Sequence, residues 1–169
     1  MTDHTDAPGA AMVVCPSSVS YDYTCGEAAT RFLREVEQKR FVGQKATADS
    51  LVYTPPRGTD PASGLPTDIE VEVGPRGTVT TFCVVNIPFA GQAVECPYVQ
   101  AHVLLDGADI PIFHLLQEVD AADVHAGMRV EPVWVPDDEM GPTMESVAYF
   151  RPTGEPDVGL DELRRDNHI

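Results

Sequence analysis

Four positions in two short turns, Ala46 and Asp49 in the first and Asp60 and Ser63 in the second, stand where a small metal-binding ribbon would carry two Cys-x-x-Cys pairs. The turns cover residues 46–50 and 60–64 and flank a Val-Tyr-Thr-Pro-Pro-Arg segment ending at Arg57. Structural zinc takes thiolate and imidazole ligands in a closed tetrahedral shell. Two carboxylates, a hydroxyl and a methyl group do not supply one. The turns are therefore expected to hold without metal, through packing of Tyr53 and through Pro55 and Pro56, which reduce the freedom of the unfolded loop. No cofactor and no metal ligand is predicted. Cys15, Cys25, Cys83 and Cys96 form no Cys-x-x-Cys pair, which excludes a local zinc or redox motif. Cys83 and Cys96 lie in or beside apolar strand patterns and read as buried free thiols.

The five histidines invite a search for a catalytic pair. His4 and His168 fall near the ends of the chain. His102 and His114 fall on two arms of a predicted hairpin around Asp106-Gly107, a dipeptide suited to the positive φ of tight turns. A short loop of even length makes opposed positions sum to an odd number. His102 then faces Phe113 or Pro111, His114 faces Val99 or Ala101, and the imidazoles point to opposite faces of the sheet. His114 shares the parity of Ile110 and Ile112 and is expected in or near the core, where its ring needs a partner. There is no Gly-x-Ser-x-Gly, no His-Glu-x-x-His and no phosphate loop. The Asp137-Asp138-Glu139 run reads as a solvated loop, since nothing nearby completes a ligand set. The chain alone shows no catalytic constellation, and it is predicted not to be an enzyme.

Charge narrows the partners. The formal net charge is -16, from 11 basic and 27 acidic residues. A phosphate backbone repels such a surface, so no nucleic acid is expected as partner. Within residues 31–57 six basic residues meet three acidic ones, a net +3 that leaves -19 on the rest. This segment is either a solvated helix face or a docking surface for an anionic ligand or acidic partner. No apolar run approaches the roughly 20 residues that span a membrane. The first ten residues lack the layout of a signal peptide, so a cytoplasmic protein without membrane contact is expected.

Elements to position these residues can be read in order. Residues 26–40 form an amphipathic helix with Phe32, Leu33 and Val36 at helical spacing, Thr24 as its cap and Gly43 as its terminator. Ile-Glu-Val-Glu-Val at 69–73 alternates as an edge strand does. Strand patterns follow at 77–88, 98–105, 110–119, 128–135 and 145–152, with a short helical turn at 120–127 between the third and fourth. Pro132 marks a sheet edge or bulge. Five strands with a helix in that place are the layout of an OB-fold barrel. The predicted fold is mainly β: a five-stranded OB-fold barrel preceded by a helix and a small degenerate zinc-ribbon-like β module. The domain reading is a mobile tail at 1–18, helix plus ribbon at 19–76, the barrel at 77–154 and an acidic tail at 155–169.

The succession "RFLREVEQKRFVGQK", "VYTPPRG", "GTVTTFCVVNIPF", "PYVQAHVLLDGADIPIFHLL", "GMRVEPVW" and "YFRPTGEPD" resembles OB-fold proteins with an N-terminal rubredoxin-like zinc ribbon that accompany thiolases and thiolase-like lipid-transfer enzymes. It is most similar to actinobacterial members found with lipid and steroid catabolism. The resemblance implies an accessory subunit of a thiolase-like enzyme acting on acyl-CoA, with a contribution to acyl-CoA binding. It places the thiolase-like subunit and the acyl-CoA among the partners, and a homodimer stays open. The alternative is a nucleic-acid-binding OB-fold module. The residues expected to meet ligand or partner are Arg40, Lys45 and Arg57 for charge, and Phe89, Tyr98 and Phe113 for contact area. The ribbon's ligand loss has a direct test. Elemental analysis is expected to give no stoichiometric zinc, and a chelator should leave the unfolding curve in place, whereas a metal-built module would collapse with it.

Overall fold

A computed structural model of the chain describes residues 19–88 and 91–165. The tail expected at residues 1–18 and the candidate Phe89 lie outside the described residues. Helix α1, Gly26–Glu37, buries Phe32 and Val36. It stops three residues before the expected end. Lys39 takes a positive φ of 59°, and the chain turns at once into strand β1, Phe41–Lys45. Gly43 is therefore no helix terminator but the middle of a strand. A Cβ there would sit 2.5 Å from Val52 Cγ1 and 2.7 Å from Thr54 Oγ1, so the close approach of the following loop requires glycine. Thr24 does not cap the helix either: the preceding residue is Cys25, and it makes no side-chain capping bond.

Strand β2, Ile69–Val73, pairs antiparallel with β1 from Phe41 opposite Val73 to Lys45 opposite Ile69. The loop between them carries both turns, anchored to β1 by the Gln44–Tyr53 bridge. The barrel follows. Its strands are β3 (Gly77–Val85), β4 (Tyr98–Leu105), β5 (Ile112–Leu116), β6 (Arg129–Trp134) and β7 (Val147–Pro152). They close in the order β3-β4-β5-β7-β6, the predicted five-stranded OB-fold architecture. On β4, alternate residues Val99, Ala101, Val103 and Leu105 are buried, as the period of two demands. Pro132 on β6 lies opposite Phe150 of β7. The β3 edge reaches β6 no further than Val130, so the missing N–H of Pro132 costs no bond on that side.

Residues 120–127 are turns and not a helix. The barrel captures this segment: Val124 is buried, and Gly127 donates its N–H to Val79 O at 2.8 Å. A 3₁₀ turn, Met144–Ser146, forms instead ahead of β7, capped by Thr143. The weak turn near the end is helix α2, Leu160–Arg165, which buries Leu163. Among the described residues no helix is long and apolar enough to cross a membrane.

The module and the barrel share one hydrophobic core. Phe41, 1% exposed, stacks on Trp134 of β6 with ring centroids 5.2 Å apart and lies 6.5 Å from Phe150 of β7. Val52 and Asp109 exchange two bonds across the joint, Val52 N–H to Asp109 Oδ2 at 2.7 Å and Asp109 N–H to Val52 O at 3.0 Å. Replacing Phe41 with Ala opens a cavity between the two units. It should destabilise the fold by about 3–5 kcal/mol, read as a lower urea midpoint of the Trp134 fluorescence transition.

Candidate functional site

The first turn of α1 and the loop after Tyr53 enclose a groove of about 530 Å³. Arg31, Gln44, Arg57, Thr67 and Asp68 line it. Gln44 and Thr67 are buried polar residues, and Thr67 Oγ1 donates to Gln44 Oε1 at 3.4 Å. Arg57 is exposed, with its guanidinium carbon 5.3 Å from the centroid of the Tyr53 ring. That contact is a cation–π pair, and it fixes the direction of an otherwise free arginine.

The ring itself is held from the other end. Tyr53 O–H donates to Asp60 Oδ1 at 2.8 Å. The same carboxylate accepts the Ala62 N–H at 3.1 Å, the Ser63 N–H at 3.3 Å and the Ser63 hydroxyl. Asp60 is 4% exposed, and these four donors satisfy both oxygens, as a buried carboxylate requires. The Ser63 hydroxyl, then Tyr53 and the Ala62 N–H, hold the Asp60 carboxyl below its usual range against the effect of burial. The Asp60 bond raises the Tyr53 phenol, and burial adds to it. In the first turn Ser50 does similar work, its Oγ accepting the Ala46 and Thr47 N–H groups at 2.9 and 2.8 Å. The expected support from Tyr53 is present, and Asp60 is the node behind it. Sequence reasoning noted Asp60 as a lost ligand and missed this role. The signal was available: an Asp whose carboxylate accepts from the second and third following N–H groups is a turn-forming habit of that residue.

A zinc ion does not fit these residues. The Asp60 oxygens are occupied by donors, Asp49 is exposed, and among the described residues no three His, Cys, Asp or Glu side chains converge as a metal site would need.

The basic segment is partly neutralised. Arg31 pairs with Glu70 at 2.6 Å, Lys39 with Asp137 at 2.5 Å, and Arg40 with Glu35 and Glu72 at 3.2 and 3.0 Å. Lys45 Nζ donates to Ala48 O at 3.0 Å. Of the three charged candidates, Lys45 and Arg57 thus have no carboxylate partner among the described residues, whereas Arg40 has two.

Tyr98 and Phe113 sit on the barrel, away from the groove's lining. Phe113 is 57% exposed and lies edge-on to His102, with centroids 5.1 Å apart. His102 is opposite Phe113 and His114 is opposite Ala101, so the two imidazoles face opposite sides, as read from the odd register. Thr81, His102 and Phe113 align across β3, β4 and β5, followed by Cys83, Gln100 and Leu115. This outward face carries no formal charge. Cys83 is exposed on it, not buried as expected, because its register places it beside outward-facing Gln100. His114 packs against Phe150 at 5.7 Å. Burial lowers its pKa, opposed by the Met144 and Leu115 backbone, and its Nδ1 has no hydrogen-bond partner among the described residues.

Comparison with known proteins gives a family match over part of the chain. Residues 70–135 match the family model for the ChsH2 C-terminal OB-fold domain. No curated protein matches the chain. Among solved structures, the chain is similar to the Ltp2-ChsH2(DUF35) aldolase, with a TM-score of 0.58 and 24% identity over 78% of this chain and 98% of that one. It is also similar to a DUF35-family protein with unknown function from Sulfolobus solfataricus, with a TM-score of 0.54 and 15% identity over 64% and 78%. At these identities the likeness is one of fold. It also corrects one expectation. The chain was predicted not to be an enzyme, yet the Ltp2-ChsH2(DUF35) structure is that of an aldolase.

The Asp60 node has a pH signature. A carboxyl whose folded pKa is lowered adds stability above its unfolded pKa and loses it as pH falls through the folded value. Acid unfolding should therefore begin with the loop between β1 and β2. Asp60→Asn should lower the thermal midpoint at neutral pH and flatten its acid dependence, measured as midpoint against pH for both proteins.

Proposed function

We propose that the chain is a subunit of an aldolase-type enzyme that cleaves acyl-CoA esters of lipid or steroid origin, docked on a thiolase-like partner. The observation that carries this reading is the fold likeness to the Ltp2-ChsH2(DUF35) aldolase over nearly the whole of that chain. Cleavage of the bond between the α and β carbons of a β-hydroxyacyl thioester needs a base for the β-hydroxyl proton, donors for the enolate that receives the electron pair, and an acid to protonate it. The two chains together would complete that set.

Two surfaces of this chain suit the task. The uncharged outer face of β3, β4 and β5, with Phe113 exposed and Tyr98 at its margin, has the aromatic character of an interface centre. In a chain of net charge -16, it is a place where a partner meets no formal charge. The groove at α1 offers Arg57 held on Tyr53, with Lys45 and Arg40 elsewhere on the same module. Guanidinium forks bind phosphate or carboxylate in pairs of bonds, which fits the anionic end of a CoA ester or an acidic rim. The nucleic-acid alternative has less support, since Arg76, Arg129 and Arg151 of the barrel region are all paired with carboxylates.

The test is reconstitution with the thiolase-like partner. Arg57→Glu should fold normally and weaken CoA-ester binding or partner activation by about 1.5–3 kcal/mol, seen as at least a tenfold change in KM or in the half-saturating subunit concentration. Full activity of that variant would make the charged surface a solvated face.

A further inference from the structure

The segment after β7 returns across the end of the barrel as a strap. Thr153 N–H donates to Arg129 O at 3.0 Å, and Val158 N–H donates to Gly127 O at 2.9 Å. Glu155 meets Arg76 at 2.5 Å and Arg129 at 3.8 Å. Leu163 of α2 closes a hollow of about 170 Å³ that Leu104, Ala108 and Arg129 also line. The strap sits close: a Cβ on Gly127 would lie 2.5 Å from Val158 O.

One tie differs in kind from the others. His125 stands on the turn before β6. Its Nε2 lies 2.8 Å from Asp157 Oδ2 on the strap, and its Nδ1 lies 2.7 Å from the Asp123 carbonyl on its own turn. Both partners are acceptors. An imidazolium donates to both, whereas either neutral tautomer has one N–H and turns a lone pair toward the other oxygen. We propose that His125 is a protonation-dependent clasp that fastens the strap, residues 153–164, over the barrel end while the imidazole carries both protons.

The charged groups acting on the ring are Asp123 and Asp157. The Asp123 backbone bond raises its pKa first, then the Asp157 bond, opposed by burial. A histidine whose folded pKa is raised contributes its stabilisation fully below the unfolded value and loses it as pH rises through the folded one. The clasp is therefore closed on the acid side and released on the alkaline side. The arginines that hold Glu155 keep their charge throughout, so the strap loosens at its Asp157 end while Glu155 stays anchored.

Amide hydrogen exchange tests this directly on the full chain. Protection factors are compared at about pH 6 and about pH 9, on either side of the ordinary histidine range, after correction for intrinsic rates. The Val158 amide should lose protection by about three- to fivefold, the scale of an exposed charged pair, while the Val79 amide in β3 should not change. His125→Gln, which cannot titrate, should abolish the step, and Asp157→Asn should shrink it. The proposal is overturned if Val158 protection is the same at both pH values, or if the step persists in His125→Gln.

Discussion

Phe41 is the residue on which the arrangement turns. It belongs to the two-stranded module by backbone and to the barrel by side chain, stacked on Trp134 and close to Phe150. Aromatic rings in such a contact resist sliding, because interior packing is close and leaves few alternative seats. The module therefore has one place on the barrel. The Val52–Asp109 pair of bonds then fixes the loop that leads into Tyr53. Tyr53, and Arg57 stacked on it, take their position from that joint.

The two turns of the module are held by side chains and not by an organising ion. A tetrahedral ion would tie both turns to a single point. Here each turn is tied to itself, the first through Ser50 and the second through Asp60. Direct linkage between the turns passes instead through covalent chain and packing, with Tyr53 as the buried bridge between β1 and Asp60. Hydrogen bonds to a carboxylate are directional and local, so the second turn is more sharply specified than a pair of prolines alone would make it. The arrangement also frees the groove side of Tyr53 to carry an arginine.

Much of the fold was legible in the sequence because its signals are periodic. The strand pattern at 98–105 marked β4, and Asp106-Gly107 marked the turn after it, with the parity that separates His102 from His114. What was not legible came from tertiary contacts overriding local habit. Gly43 looks like the end of a helix, yet its neighbours Val52 and Thr54 make it a strand residue. Residues 120–127 read as a helical turn, yet Gly127 gives its N–H to Val79 of β3 and its carbonyl to Val158. Cys83 looks apolar in context, yet register turns it outward. Arg57, singled out by its charge and its place after two prolines, lines the groove. Asp60 was hidden because a residue read as a missing ligand was not also read as an acceptor.

The barrel closes thinly. Among the described residues β3 meets β6 through two opposed pairs, at Gly77 and Thr78, and β5 meets β7 through Leu116 and Phe150 alone. The β3-β4-β5 meander and the β6–β7 ribbon are each zipped along most of their length. The molecule is thus two locally ordered sheets sewn at two short seams, both involving residues distant in the chain. Such seams form after the hairpins, because the loops they close are long, and they are the first places where thermal motion can part the backbone. When the barrel breathes it should open like a hinged case along these seams, with each sheet intact, and the buried Val79, Val103 and Val130 would be among the lining first shown to solvent.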